Sequence, residues 1–197
     1  HRFIDLESEV LALRFSNDGA FLLVGDVEGF ISVWNVRSRE RVYRIHGHHG
    51  FVLDFAASPD GGSFATASGD GSVKVWNLAS GAQIASFDRH RGAVHSVDFS
   101  RDGSLLASGS NDGTVRIWDL LIGSQRQVLY PHDGIVLATR FLADGKTLVS
   151  SSADRSILFT DFKAGKVVHT IHGHSDRVVA LALSADGGKI ASASWDR

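Results

Sequence analysis

The sequence predicts an all-β chain assembled from repeated four-stranded antiparallel sheets, and three observations carry that expectation. One period of 42 residues runs through the 197 positions. Short β-branched and aromatic runs alternate with Gly-, Asp-, Asn- and Ser-rich turns, the composition that pleated strands and hairpins require. No window of ten residues keeps an apolar spacing of 3.6, so no helix is expected.

Five Asp-Gly pairs mark the period: Asp18-Gly19, Asp60-Gly61, Asp102-Gly103, Asp144-Gly145 and Asp186-Gly187. The same step links Trp34, Trp76 and Trp118, with Thr160 in the fourth place. It links His48, His90, His132 and His174, with Leu6 one step earlier, and it links Glu28, Asp70, Asp112, Asp154 and Asp196. Four residue types on one period divide the chain into approximate repeats 1–39, 40–81, 82–123, 124–165 and 166–197, the last incomplete. The third repeat shows the elements in order. Val94 to Phe99 is a strand, Asp102-Gly103 a turn, and Leu105 to Gly109 a second strand. The Asn111-Asp112-Gly113 turn, Val115 to Trp118 and Gln125 to Tyr130 complete it. Gly accepts positive φ without a Cβ clash, which suits these tight hairpins. Such a sheet has two apolar faces and cannot bury both alone. Radial stacking buries them between neighbours, so the expected architecture is a β-propeller.

Composition bounds the function. Lys+Arg number 20 and Asp+Glu 22, a net charge of -2, which argues against a nucleic-acid groove working by bulk charge. No run of eighteen apolar residues, signal peptide or lipidation motif is present, so no membrane association is expected. Cys is 0, which excludes disulfides, thiol catalysis and thiolate metal sites. Met is also 0 and the chain starts at His1, so a segment of a longer protein is expected.

The repeats resemble WD40 repeats. The elements that carry the resemblance are the Gly-His opening at Gly47-His48, the Ser58-Pro59-Asp60-Gly61 turn, and the closing Trp118-Asp119, with Trp-Asn at Trp34 and Trp76. The resemblance implies four to five blades of a seven-bladed propeller, which at this period needs about 300 residues. The 197 residues hold about 4.7 periods, with Phe3-Ile4 as the tail of a preceding strand and Arg197 inside a turn; an open arc is expected.

The resemblance further implies a structural hydrogen-bonded set in each blade: His48, Thr66, Asp70 and Trp76 in the second, and His90, Ser108, Asp112 and Trp118 in the third. The fourth has His132, Ser150 and Asp154 but Thr160 in place of the indole, and the fifth has His174, Ser192 and Asp196. The first, with Leu6, Val24 and Glu28 around Trp34, lacks the set, so blades one and four are expected to be softer. A Ser/His/Asp trio also invites a hydrolase reading. A trio repeated at one period speaks for structure instead, and no catalytic residue is assigned. His46 and His49 suggest a surface metal site, but no carboxylate stands at ligand spacing, and no metal or cofactor is expected. Gly145-Lys146-Thr147 imitates a phosphate-binding loop, yet the required upstream Gly is Arg140.

Function is therefore sought on the surface. By resemblance, partners dock on the end carrying the Gly-His loops and the Asp turns. The residues mapped there are Glu9, Leu11, Val27, Phe51, Leu53, Gly69, Ala93, His95, Asn111, Ile135, Leu137, Ala153, Arg177, Val179 and Trp195. Eight of the fifteen are large and apolar, a ring suited to proteins or peptides with aliphatic anchors. Partner binding is assigned to Leu11, Phe51, Leu53, His95, Asn111, Ile135, Leu137, Arg177, Val179 and Trp195. The expected function is a non-catalytic protein-protein scaffold, intracellular in the cytoplasm or nucleus, with no small-molecule substrate. Two alternatives stand beside it. One is the regulatory propeller of a larger signalling enzyme. The other is a substrate receptor of a cullin-RING ubiquitin ligase, suggested by Trp34-Asn35-Val36-Arg37. Arg37, Arg39 and Arg41 mark a further surface, at the opposite end, that suits an acidic partner or phosphate.

Overall fold

In the computed structural model, residues 7–184 and 186–196 are described, and the assignments made for Phe3-Ile4, Leu6 and Arg197 lie outside them. The first sheet comprises β1 (Val10–Phe15), β2 (Phe21–Asp26), β3 (Phe30–Asn35) and β4 (Arg41–His46). The second comprises β5 (Val52–Ala57), β6 (Ser63–Ser68), β7 (Val73–Asn77) and β8 (Gln83–Phe87). The third holds β9 (Val94–Phe99), β10 (Leu105–Ser110), β11 (Val115–Asp119) and β12 (Ser124–Leu129). The fourth holds β13 (Val136–Phe141), β14 (Thr147–Ser152), β15 (Ser156–Asp161) and β16 (Lys166–His172). The last described strands, β17 (Val178–Leu183) and β18 (Ile190–Ser194), pair as a two-stranded sheet. Every sheet is an antiparallel meander in chain order, and no described residue is helical.

First strands neighbour first strands: β1 packs on β5, β5 on β9, β9 on β13 and β13 on β17. Each hydrophobic cluster is consequently shared by two sheets. Leu23, Ile31 and Val33 of the first meet Val52, Phe55, Phe64 and Trp76 of the second. Val75 and Phe87 meet Val97, Leu106 and Trp118, with Phe87 stacked on Trp118 at 4.8 Å. Ile117 and Leu129 meet Val136, Phe141 and Leu148, and Val149 and Ile157 meet Val178 and Leu181. The second strands of the four-stranded sheets are buried over most of their length, and all six residues of β10 and of β14 are buried, whereas β18 of the two-stranded sheet is largely exposed. Fourth strands lie outermost and are largely exposed.

Polar side chains also cross between sheets. The Val97 N–H donates to Asp54 at 3.1 Å and the Phe141 N–H to Asp98 at 2.8 Å. Tyr43 donates its hydroxyl to the Leu78 carbonyl at 2.7 Å, and its burial pushes the phenol up to about 12. Burial likewise pushes the Asp98 carboxyl up to about 6, against the opposing pull of Arg140 and the Phe141 N–H.

The Asp-Gly hairpins close one end of the sheets, hereafter the bottom. In the third, Ser100 donates its hydroxyl to Asp102 at 2.6 Å and the Ser104 N–H donates to the same oxygen at 3.1 Å. These bonds, the Ser100 one first, pull Asp102 down to about 2. Gly145-Lys146-Thr147 is the matching hairpin of the fourth sheet, with the Lys146 and Thr147 N–H groups held by Asp144.

Two glycines separate conformation from space. Gly19 has φ +69° with nothing near an added Cβ, whereas Gly29 has φ +85° and an added Cβ would lie 2.1 Å from the His48 carbonyl oxygen. Gly19→Ala is expected to lower the unfolding free energy by about 1–2 kcal/mol, the left-handed penalty alone. Gly29→Ala adds a steric term and is expected to lose about 3 kcal/mol or more. Urea unfolding of the two variants checks the difference; equal losses would contradict it.

Candidate functional site

The opposite, top end carries the turns between second and third strands and the loops that lead into each next first strand. Its loops are tied down by buried polar groups. In the second sheet the Trp76 indole N–H donates to Thr66 Oγ1 at 2.9 Å, which stands 2.7 Å from His48 Nε2. His48 Nδ1–H donates to Asp70 at 3.1 Å, and Asp70 accepts the His49 N–H at 2.9 Å. Because its oxygen accepts the indole hydrogen bond, the Thr66 hydroxyl has its own proton left to donate to Nε2, which selects the neutral Nδ1–H imidazole. The third sheet repeats this with His90 to Ser108 at 2.8 Å, His90 to Asp112 at 3.0 Å and Trp118 to Ser108 at 2.9 Å. In the fourth, His132 lies 2.8 Å from both Ser150 and Asp154. In the fifth, His174 lies 2.8 Å from Ser192 and 2.9 Å from Asp196.

Burial lowers the pKa values of His48, His90 and His132, although each faces a carboxylate that opposes the shift. Burial alone would raise Asp70, Asp112 and Asp154, but hydroxyl, backbone and imidazole donors outweigh it and leave all three lowered. Thr66, Ser108 and Ser150 are buried, so no substrate reaches the hydroxyl of a trio in the second to fourth sheets. The trios there position loops.

Departures from the period are informative. Thr160 holds the place of the indole, and its buried hydroxyl has no hydrogen-bond partner among the described residues. In the first sheet, Asp26 rather than Glu28 caps the turn, accepting the Glu28 and Phe30 N–H groups, both at 2.9 Å. Arg44 reaches Asp26 at 3.4 Å and lies 3.7 Å over the Phe30 ring, while Arg41 pairs with Glu7 at 3.0 Å. The Arg41 hydrogen bond, then the Arg44 charge, hold Glu7 below the usual carboxylate range. The first sheet therefore has a polar tie built from an arginine where the others use histidine. An isolated Asp two positions before Glu28 and an Arg on the fourth strand were its sequence signals.

Above these ties the fifteen mapped positions fall into triplets. The residue before each turn Asp, and before Glu28 in the first sheet, donates its N–H to the carbonyl of the residue ahead of the first strand: Val27 to Glu9 at 3.0 Å, Gly69 to Phe51 at 2.8 Å, Asn111 to Ala93 at 2.9 Å, Ala153 to Ile135 at 3.0 Å and Trp195 to Arg177 at 3.3 Å. Leu11, Leu53, His95, Leu137 and Val179 each sit two residues beyond the carbonyl partner. His95 donates to the Asn111 side-chain oxygen at 2.6 Å, and the Arg177 guanidinium lies 4.4 Å from the Trp195 ring centroid. Of the eight large apolar members, Leu11, Phe51 and Trp195 are exposed; Val27, Leu53, Ile135, Leu137 and Val179 are half-buried. The apolar surface is therefore concentrated at a few points rather than forming a continuous ring.

His46 and His49 face each other with ring centroids 5.9 Å apart, and His46 packs edge-on against Phe30. Among the described residues no three His or carboxylate side chains converge as metal ligands. No described helix is long and apolar enough to cross a membrane.

A family model described as "WD domain, G-beta repeat" matches residues 3–35, 39–77, 81–119, 123–161 and 165–197. Among curated proteins, "U3 snoRNP-associated protein-like YAOH" of Oryza sativa subsp. japonica is 39% identical over 51 residues. That match spans 26% of this chain and 10% of the rice protein.

Two measurements check the ties. Thr160→Val removes a buried unpaired hydroxyl at nearly constant shape and is expected to raise stability by about 1 kcal/mol in urea unfolding. A lowered histidine pKa leaves the folded state binding fewer protons than the unfolded one below pH about 6.5, so stability falls on acidification. The lowered aspartates extend that loss to lower pH, as their ordinary range and then their folded values are passed. Asp98, raised to about 6, acts in the opposite sense between that value and its ordinary range. Asp98→Asn is thus expected to steepen the fall in melting temperature between pH 6 and 4; an unchanged slope would contradict the assignment.

Proposed function

The chain belongs to the WD40 family of G-beta-type repeats, and from that premise we propose that it is a non-catalytic scaffold binding partner peptides or proteins at the top end of its sheets. Members of this family generally act as interaction scaffolds. The observation that carries the reading is the set of exposed apolar anchors on a tied-down surface: Phe51 at 53%, Trp195 at 60% and Leu11 at 43% exposure. Trp and Arg dominate binding hot spots, and the Arg177–Trp195 stack offers both in one platform. His95 and Asn111 supply polar recognition between the anchors, and half-buried Leu53, Ile135, Leu137 and Val179 fill the surface around them. Because the loops are pinned by buried hydrogen bonds, little conformational entropy is lost on binding.

The name of the rice relative, a U3 snoRNP-associated protein, favours a nuclear ribonucleoprotein as the setting for this chain. The net charge of -2 directs the contact to a protein component of such a particle rather than to RNA. The test is affinity purification with the paired variant Phe51→Asp and Trp195→Asp, with circular dichroism melting as the control for folding. Partners are expected to fall at least about tenfold, the loss that burying a charge in place of two aromatic anchors entails. Partners retained at the unmodified level by a folded variant would overturn the reading.

A further inference from the structure

The 42-residue register makes one further departure visible, at the bottom end. The turns between third and fourth strands carry Arg37-Ser38, Ala79-Ser80 and Lys163-Ala164 in the first, second and fourth repeats, but Leu121-Ile122 in the third. Leu121 is 88% and Ile122 76% exposed, two of the three most exposed large apolar side chains among the described residues. Nothing in the fold requires them. The turn is tied by the Leu120 N–H, which donates to the Ser104 carbonyl at 3.0 Å, and Ser104 borders a groove of about 570 Å³ between the third and fourth sheets.

The groove has an apolar floor of Leu105, Phe141, Leu142 and Phe162, with Phe141 and Phe162 edge-to-face at 5.3 Å. Its rim is charged, and the charges divide by what holds them. Arg126 pairs with Asp119 at 3.2 Å, and the carboxylates of Asp102 and Asp144 are turned into their own hairpins. Arg101 and Lys163 have no side-chain hydrogen bond or ion pair among the described residues. An apolar depression, two uncommitted cations and an adjacent pair of bare aliphatic side chains match one chemistry. We propose that this groove docks an extended acidic segment of a partner protein, with one large apolar side chain on the Phe141–Phe162 floor, carboxylates at Arg101 and Lys163, and apolar contact to Leu121-Ile122. The site stands at the end opposite Phe51 and Trp195 and does not depend on the top face.

Fluorescence anisotropy of the 197-residue chain with a labelled Asp-Glu-Phe-Glu-Asp peptide tests it. Saturable binding is expected, weakened at least about tenfold by Arg101→Glu with Lys163→Glu, and by Leu121→Ala with Ile122→Ser. The second pair installs the residues that the second repeat carries at Ala79-Ser80, so the turn keeps a sequence this fold already accepts. Phe51→Asp is expected to leave the peptide bound. The charge-reversed variant is expected to prefer a Lys-Lys-Phe-Lys-Lys peptide. Absence of saturation up to about 1 mM, or binding indifferent to both paired variants, would overturn the proposal. Sedimentation velocity supplies the other outcome. A dimer that Leu121→Ala with Ile122→Ser dissolves, and that the acidic peptide does not disrupt, would assign the pair to a second copy of the chain and likewise overturn it.

Discussion

A four-stranded sheet with two apolar faces has no stable existence in water by itself, and everything in this chain follows from that constraint. Each hydrophobic cluster takes its members from two consecutive sheets. The burial of β10 and β14 along their whole length is the result: a second strand lies within its sheet and between the neighbouring sheets. Stacking also brings the first strands together, so that a carboxylate such as Asp54 or Asp98 satisfies a backbone N–H of the next sheet. Apolar burial supplies the driving force, and these directional bonds fix the register between sheets.

Stacking leaves the connecting loops at the ends, where backbone polar groups need partners. The buried histidine ties answer that need by joining each incoming loop to a turn Asp and an interior hydroxyl. In the second and third sheets the hydroxyl that resembles a nucleophile is the hydrogen-bond acceptor of an indole in the protein interior.

Strand positions were legible because turn chemistry is local. The strand read as Leu105 to Gly109 is β10, Leu105–Ser110, and the reading of Val94 to Phe99 matches β9 at both ends. Gln125 to Tyr130 was displaced by one residue from β12, Ser124–Leu129, because an outer strand lacks a buried face to define its limits. The polar tie of the first sheet was legible only as separate residues, an Asp before Glu28 and an Arg on the fourth strand, and not as a contact. Asp26, Arg44 and Glu7 share no period with His48 and Asp70, and their convergence depends on the pairing of β4 with β3, which sets Arg44 opposite Ser32, and on a cation lying over Phe30. Exposure of the top-face residues was only partly legible, since Leu53 or Ile135 is half-covered by neighbours that sequence spacing does not locate. Arg155, at φ 72° in a turn where the first three repeats have Gly29, Gly71 and Gly113, shows that the backbone keeps the turn even where the residue has changed.

The dependence of each sheet on its neighbour is most directly tested by amide hydrogen exchange on Ile117→Ala. Ile117 belongs to the third sheet and packs in the cluster shared with Phe141 and Leu148 of the fourth. If stability resides between sheets, exchange accelerates in β13 and β14 as much as in β10 and β11. Acceleration confined to the third sheet would show that each sheet holds itself together, and would contradict the account.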